Sequence, residues 1–287
     1  MSCQQPYTTQ VVTLGIGQRT DVLVTANQGP STSAFWMRSN ISTICSITNQ
    51  GNALAAIYYD NADTTKAPTS TAWNVPDPGT CENDDLSLTV PFYNLTPPTP
   101  SATRNLDISF FINGSQNFLW ELDSTTFRAN YNKPVLLLAS QGNLTFEPEW
   151  NVKNFGSNSS VRVIVNNNTP AAHPLHLHGH NMWILHQGPG FYDGTSITNP
   201  TNPQRRDVQL VPAGGHIVWQ INLDNPGVWP FHCHIAWHVS AGLYANILER
   251  PADIQKKLQI PLVLPQTCQD WYAYTNADVV DQIDSGL

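Results

Sequence analysis

The stretch from Trp229 to Leu243, WPFHCHIAWHVSAGL, packs His232, Cys233, His234 and His238 into seven residues. The run Pro226-Gly227-Val228 breaks the chain before it, and Phe231 to Ile235 then reads as a short buried strand. Successive side chains of a strand point to opposite faces, so Cys233 is expected to look one way while His232 and His234 look the other. One segment would then touch two metal centres, with His238 folding back across a turn to the thiolate side. A second cluster, His173-Pro174-Leu175-His176-Leu177-His178-Gly179-His180, offers partners. His176, His178 and His180 are expected on one strand face, with Pro174 turning the chain so that His173 faces elsewhere. Two His and one Cys are the ligand set of a blue-copper electron-transfer centre, whose weak axial group tunes the potential. Zinc, which also takes His and Cys, is the competing ion, and a chance cluster around a core cysteine is the bland reading. The methionines are Met1, Met37 and Met182, and none follows Cys233. Leu243 stands where an axial thioether is expected, which implies a relatively high reduction potential.

The 287 residues suit one large or two ordinary domains. With 22 Pro, 17 Gly, 12% charged residues and no long amphipathic helical pattern, the chain reads as all-β. A net charge of −8 argues against nucleic acid as a partner, and no apolar run approaches a membrane span. Six Asn-x-Ser/Thr sequons, at Asn40, Asn94, Asn113, Asn143, Asn158 and Asn167, point to a secreted, glycosylated protein. Met1-Ser2-Cys3-Gln4-Gln5 carries no apolar signal segment.

Thr9 to Ile16 and Asp21 to Thr25 read as strands around Gly17-Gln18-Arg19, followed by Phe35 to Arg38 and Ala53 to Tyr59. The Pro-, Thr- and Ser-rich residues 87–103 read as an extended linker. After it, Leu106, Ile108, Phe110 and Ile112 alternate cleanly. Trp120 to Leu122, Pro134 to Ala139, Ser160 to Val165, Met182 to His186, His216 to Leu223, Phe231 to Ile235 and Leu243 to Leu248 fill out a two-sheet Greek-key sandwich. Ala252 to Leu258 reads as a short helix. A faint internal repeat aligns Phe35 to Ser39 with Trp229 to Cys233, placing Arg38 and Ser39 where His232 and Cys233 stand. The expected division is therefore a partial copper-free domain (1–86), the linker (87–103), a complete copper-binding domain (104–265) and a tail (266–287) held by Cys268, Trp271 and Tyr272.

The motifs HPxHLHGH and HCHxxxHxxxxL, with the closing Asp284-Ser285-Gly286-Leu287, resemble the third and fourth copper signatures and the chain end of fungal laccases, members of the multicopper oxidase family. The likeness runs from about Gln10 to the C-terminus and implies cupredoxin-like β-sandwiches. By position it assigns His173, Cys233 and His238 to a type 1 copper, with Leu243 as non-coordinating axial neighbour. It assigns His176 to a type 2 copper, and His178, His232 and His234 to type 3 coppers. It calls for four more histidines from an N-terminal cupredoxin domain, in a longer chain or another subunit, because the first 172 residues hold none. It pairs Cys45 with Cys81 and likens Cys268 to a cysteine that bridges to the first domain. Cys3 has no counterpart and either stays free or pairs with Cys268. Asp284 and the terminal carboxylate either cap a solvent channel to the oxygen site or form a disordered tail.

The resemblance further implies that a phenol or aromatic amine gives up one electron to the type 1 copper through His238. Electrons pass from Cys233 to His232 and His234, and four of them reduce O2 to two waters at a three-copper cluster. Two other readings stay open: a module that loads only the type 1 copper and shuttles single electrons, and an inactive fragment. His180 is expected in hydrogen bonding or packing around the ligands, and His186 and His216 as ordinary strand or turn residues.

Overall fold

The computed structural model describes residues 4–74 and 79–278. Cys3 and the Asp284-Ser285-Gly286-Leu287 terminus lie outside the described residues. The chain divides into two compact units, residues 19–81 and residues 1–18 with 82–287.

In the smaller unit, β1 (Ala34–Asn40) and β2 (Asn52–Tyr58) pair antiparallel, with Phe35 opposite Ile57 and Arg38 opposite Leu54. Cys45 and Cys81 form the expected disulfide, their Cα atoms 5.4 Å apart. Asp21 to Thr25 forms no strand, and neither does Thr9 to Ile16 of the larger unit. β-Propensity expresses fit to a pleated, half-buried surface, and neither run meets one: Leu23 is 92% exposed and Leu14 47%.

The larger unit contains β3 (Ala102–Ile112), β4 (Phe118–Leu122), β5 (Val152–Gly156), β6 (Ser160–Asn167), β7 (His173–Leu177), β8 (Met182–Pro189), β9 (Gln204–Arg206), β10 (Val208–Val211), β11 (Gly215–Asn222), β12 (Gly227–Cys233) and β13 (Tyr244–Glu249). They form a five-stranded sheet, β10-β7-β12-β13-β5, and a six-stranded sheet, β4-β3-β6-β11-β8-β9. Both contribute to one core, in which Leu175, Phe231 and Ile247 from the first meet Val163, Ile217 and Trp219 from the second. Each fully buried side chain of this size stabilises the sandwich by roughly 1.5–3 kcal/mol. β6 alternates buried and half-buried positions as its sequence implies, whereas β11 is buried along nearly its whole length. On its second face Val218 joins Trp183 and Leu185 of β8 in a smaller cluster, with Ile164, Tyr192 and Ile197 packed against it.

A further expectation is corrected. Pro134 to Ala139 is not a strand: Val135–Ser140 forms helix α1, with Val135 and Ala139 buried one turn apart. A short apolar run cannot be assigned by periodicity alone, and here Leu and Ala favour the helix, which Gly142 follows at a φ of 83°. Further on come α2 (Ala236–Ser240), α3 (Pro251–Lys257), which matches the expected helix, and α4 (Val263–Ala277). The start of the stretch from residue 266 is thus helical, with Cys268 buried and Trp271 against Tyr131 at 5.2 Å, while Tyr272 is 59% exposed.

The Pro-rich stretch before β3 is extended but not free. Trp183 Nε1 donates to Leu95 O, Asn202 Nδ2 to Pro91 O and Gln220 Nε2 to Pro98 O, which pins it to the larger unit.

Candidate metal centre

Strand register writes the two donor groups. β12 pairs with β7 so that Cys233 faces Leu175 and His232 faces His176. Opposed residues of an antiparallel ladder share a face, and alternation adds His173 to the face of Leu175. Cys233 and His173 therefore enter the core, both 0% exposed, while His232 and His176 occupy the other face. Alternation alone achieves this separation. β7 stays in regular register with β10 from His173 to His176, so Pro174 does not turn the chain as expected. The shared face foreseen for His176, His178 and His180 also fails at its third member. β7 ends at Leu177, Gly179 takes a φ of 71°, and His180 Nε2 instead approaches the buried carboxylate of Glu249 at 3.0 Å.

His238 returns to the thiol on α2. Leu243 N donates to His238 O at 2.9 Å, and Cys233 N donates to Leu243 O at 3.1 Å. The loop is clamped from β4 and beyond it: Trp120 N donates to Ala241 O and Phe127 N to Gly242 O. Cys233 Sγ lies 3.7 Å from His173 Nδ1 and 3.6 Å from His238 Nδ1, and the two Nδ1 atoms are 3.1 Å apart. The Trp120 ring packs against both imidazoles, 4.3 Å from His238 and 4.7 Å from His173 between ring centres. Burial holds His173 down to about 3 and His238 down to about 4, and pushes the Cys233 thiol up to about 12.

The second group gathers His176, His178 and His232, whose donor atoms all lie within 4.8 Å of one another. His178 Nε2 and His232 Nε2 are 3.0 Å apart. His232 Nδ1–H donates to Cys233 O and His176 Nδ1–H to Asp207 O, which leaves each Nε2 lone pair free for the centre. Burial lowers the His232 pKa to about 4 and lowers that of His178 as well. His234 stands at the margin, exposed, with its ring centre 5.7 Å from His176 and 5.9 Å from His232. Gly17 abuts it with a φ of 82°, where a Cβ would come within 2.6 Å of the His234 ring, so no larger residue fits.

The residues present fit metal ions. In both groups ring nitrogens are turned toward one another, and burial disfavours protonation of His173, His238, His178 and His232, an arrangement that a shared cation relieves. The triangle of one thiol and two Nδ1 atoms suits a trigonal His2Cys copper site. Structural zinc takes four donors in a tetrahedron, whereas among the described residues this group gathers three, with the fully buried Leu243 joined to Cys233 and His238 through backbone hydrogen bonds. Sequence reasoning missed Trp120, Asp207 and Glu249. Trp120 and Asp207 reach ligands, and Glu249 reaches His180, from segments distant in the chain, and no local spacing marks them.

Donor groups on the two faces of one strand, inside a two-sheet sandwich, define a cupredoxin-like metal-binding protein. Multicopper oxidase family profiles match residues 1–62 and 112–253. Laccase-1 of Botryotinia fuckeliana is 34% identical over 98% of this chain and 50% of its own length. The crystal structure of a laccase from Botrytis aclada superposes with a TM-score of 0.84 at 31% identity, covering 98% of this chain and 52% of that one. Fet3p, a multicopper oxidase that functions in iron import, shares the fold, with a TM-score of 0.74 at 22% identity over 91% of this chain and 51% of that one. The chain belongs to the multicopper oxidase family, whose cofactor is copper. It spans about half the length of the curated relatives it matches.

Proposed function

We propose that this chain provides the substrate-oxidising copper site, and half of the oxygen-reducing site, of a laccase-type oxidase acting on phenols and aromatic amines. The observation that carries the reading is the buried triangle of Cys233, His173 and His238. These three residues would hold the type 1 copper, with Leu243 as non-coordinating neighbour. His176 would serve a type 2 copper, and His178, His232 and His234 type 3 coppers. Copper would supply one-electron acceptance from the organic substrate and the reduction of O2 to water.

The chain's own residues prepare that chemistry. His238 is half-buried against Trp120, which is followed outward by Phe110 and by Phe118, 59% exposed. This aromatic strip favours a flat aromatic substrate beside His238. Cys233 is bonded through the backbone to His232 and His234, so the shortest covalent path between the two donor groups is the peptide chain itself. The remaining histidines of the oxygen site would come from an N-terminal cupredoxin domain, on a longer chain or another subunit. Secretion accords with the Cys45–Cys81 disulfide and the exposed sequons at Asn40, Asn94 and Asn143; among the described residues, no helix is long and apolar enough to cross a membrane.

The test is to load the chain with copper, alone and together with an N-terminal cupredoxin domain, and to follow colour and oxygen uptake with a methoxyphenol. Blue colour in both and oxygen uptake only in the second is expected. Colour with no oxygen uptake in either case would favour the second reading, a type 1 electron-transfer module.

Two expected results follow from the same triangle. Both imidazoles are already neutral at about pH 5 to 8, so copper binding releases a single proton, from Cys233. The apparent affinity should therefore rise about tenfold per pH unit, as chelator competition would reveal, and a pH-independent affinity would contradict the assignment. Leu243→Met places a thioether beside the centre, and the reduction potential should fall. Spectroelectrochemical titration reads the shift, and an unchanged or higher potential would refute the axial placement.

A further inference from the structure

The sequon Asn167-Asn168-Thr169 joins the end of β6 to the start of β7, four residues before His173. Asn167 and Thr169 are each only 2% exposed, and their hydrogen bonds admit one arrangement of protons. Asn167 Nδ2 donates to Ala171 O at 2.7 Å and to Pro212 O at 2.8 Å, which turns Oδ1 toward Thr169 as an acceptor. Oδ1 accepts from Thr169 N at 3.1 Å and from Thr169 Oγ1 at 2.7 Å. The hydroxyl has a single proton. The alternative acceptor, Ala171 O, is further away at 3.3 Å, so the proton goes to Asn167. Thr169 Oγ1 is then left with lone pairs only, and its neighbour His173 Nε2, at 3.1 Å, must be the donor. An imidazole that carries its proton on Nε2 presents its Nδ1 lone pair toward Cys233 and His238.

We infer that Asn167 and Thr169 act as a tautomer lock on His173: Thr169 is a positioning residue for the copper centre, and the sequon is structural, with no glycan. The inference rests on the type 1 copper reading of His173. It differs from a packing role because it depends on one lone pair of one hydroxyl. Thr169→Val keeps the shape of the side chain and removes that acceptor, leaving a buried N–H unpaired. Thr169→Ser keeps the hydroxyl and sheds a methyl group.

The experiment uses the full chain loaded with copper. Thr169→Val should bind copper about 10–100-fold more weakly and show altered copper hyperfine splitting by electron paramagnetic resonance, whereas Thr169→Ser should match the parent in both. Equal affinity and spectrum in Thr169→Val, or weakening in Thr169→Ser alone, would overturn the lock. A parent chain that takes up no copper at all would instead overturn the reading of the centre. Should Thr169→Val fail to fold, the copper(I)-loaded parent, labelled with 15N-histidine, decides by nuclear magnetic resonance. A slowly exchanging Nε2–H on His173 is expected, and fast exchange refutes the lock. Peptide mass mapping of the secreted protein should find Asn167 unmodified, and a glycan there would refute the structural role of the sequon.

Discussion

Serine in place of Cys233 is expected to abolish the intense visible absorption of the copper-loaded chain and to lower its copper content by one ion. The thiol is the only soft donor of its group, and two imidazoles alone hold copper loosely without it. The serine hydroxyl does not ionise in a fully buried site, so it cannot replace the negative charge that offsets the metal. Oxygen uptake supported by aromatic substrates should fall to background in the completed enzyme. Far-ultraviolet circular dichroism should remain that of the parent, because the ladder around residue 233 consists of backbone hydrogen bonds. Retention of the blue colour in Cys233→Ser would refute the copper assignment.

The largest effect on stability is expected from Glu249→Ala. The Glu249 side chain is 0% exposed at the end of β13, and its Oε1 accepts from Asn225 N at 2.7 Å. Its Oε2 lies 3.0 Å from His180 Nε2, close but out of line for a hydrogen bond. Asn225 in turn donates through Nδ2 to Gly179 O and accepts from Trp229 Nε1. One carboxylate thus ties together the approaches to both ligand segments. Its removal leaves the Asn225 N–H unpaired and opens space beside His180, costing about 2–3 kcal/mol. The melting temperature of the copper-free chain should fall by on the order of 10 °C. Glu249→Gln, which keeps an acceptor for Asn225, should fall less. A melting curve for Glu249→Ala that overlays the parent would show that the carboxylate stabilises nothing.

Much of the site was legible because its ligands lie on consecutive residues, where strand period alone sorts Cys233 from His232. The same reasoning erred wherever tertiary context decided. Pro174 looked like a turn, yet β7 runs straight through it because β10 pairs alongside. The apolar run after Pro134 looked like a strand, but it packs as a helix against α3 and β13 through Ala139, Leu248 and Ile254. The runs at Thr9 and Asp21 have strand composition and join no ladder. Trp120 and Glu249 were out of reach, since their roles arise from contacts with residues distant in the chain, Trp120 with His173 and His238 and Glu249 with His180 and Asn225. The sequon at Asn167 looks like the others in sequence, but here Asn167 and Thr169 are folded inward, which the three-residue pattern cannot signal.

His232 and Cys233 hang from adjacent rungs of one β-ladder, so the gap between the two donor groups is set by covalent geometry. Loosening or tightening the hydrophobic interior would alter how firmly each group is held while leaving the separation between them nearly constant. Thermal adaptation in such a protein can therefore proceed by repacking the sandwich without respacing its two donor groups.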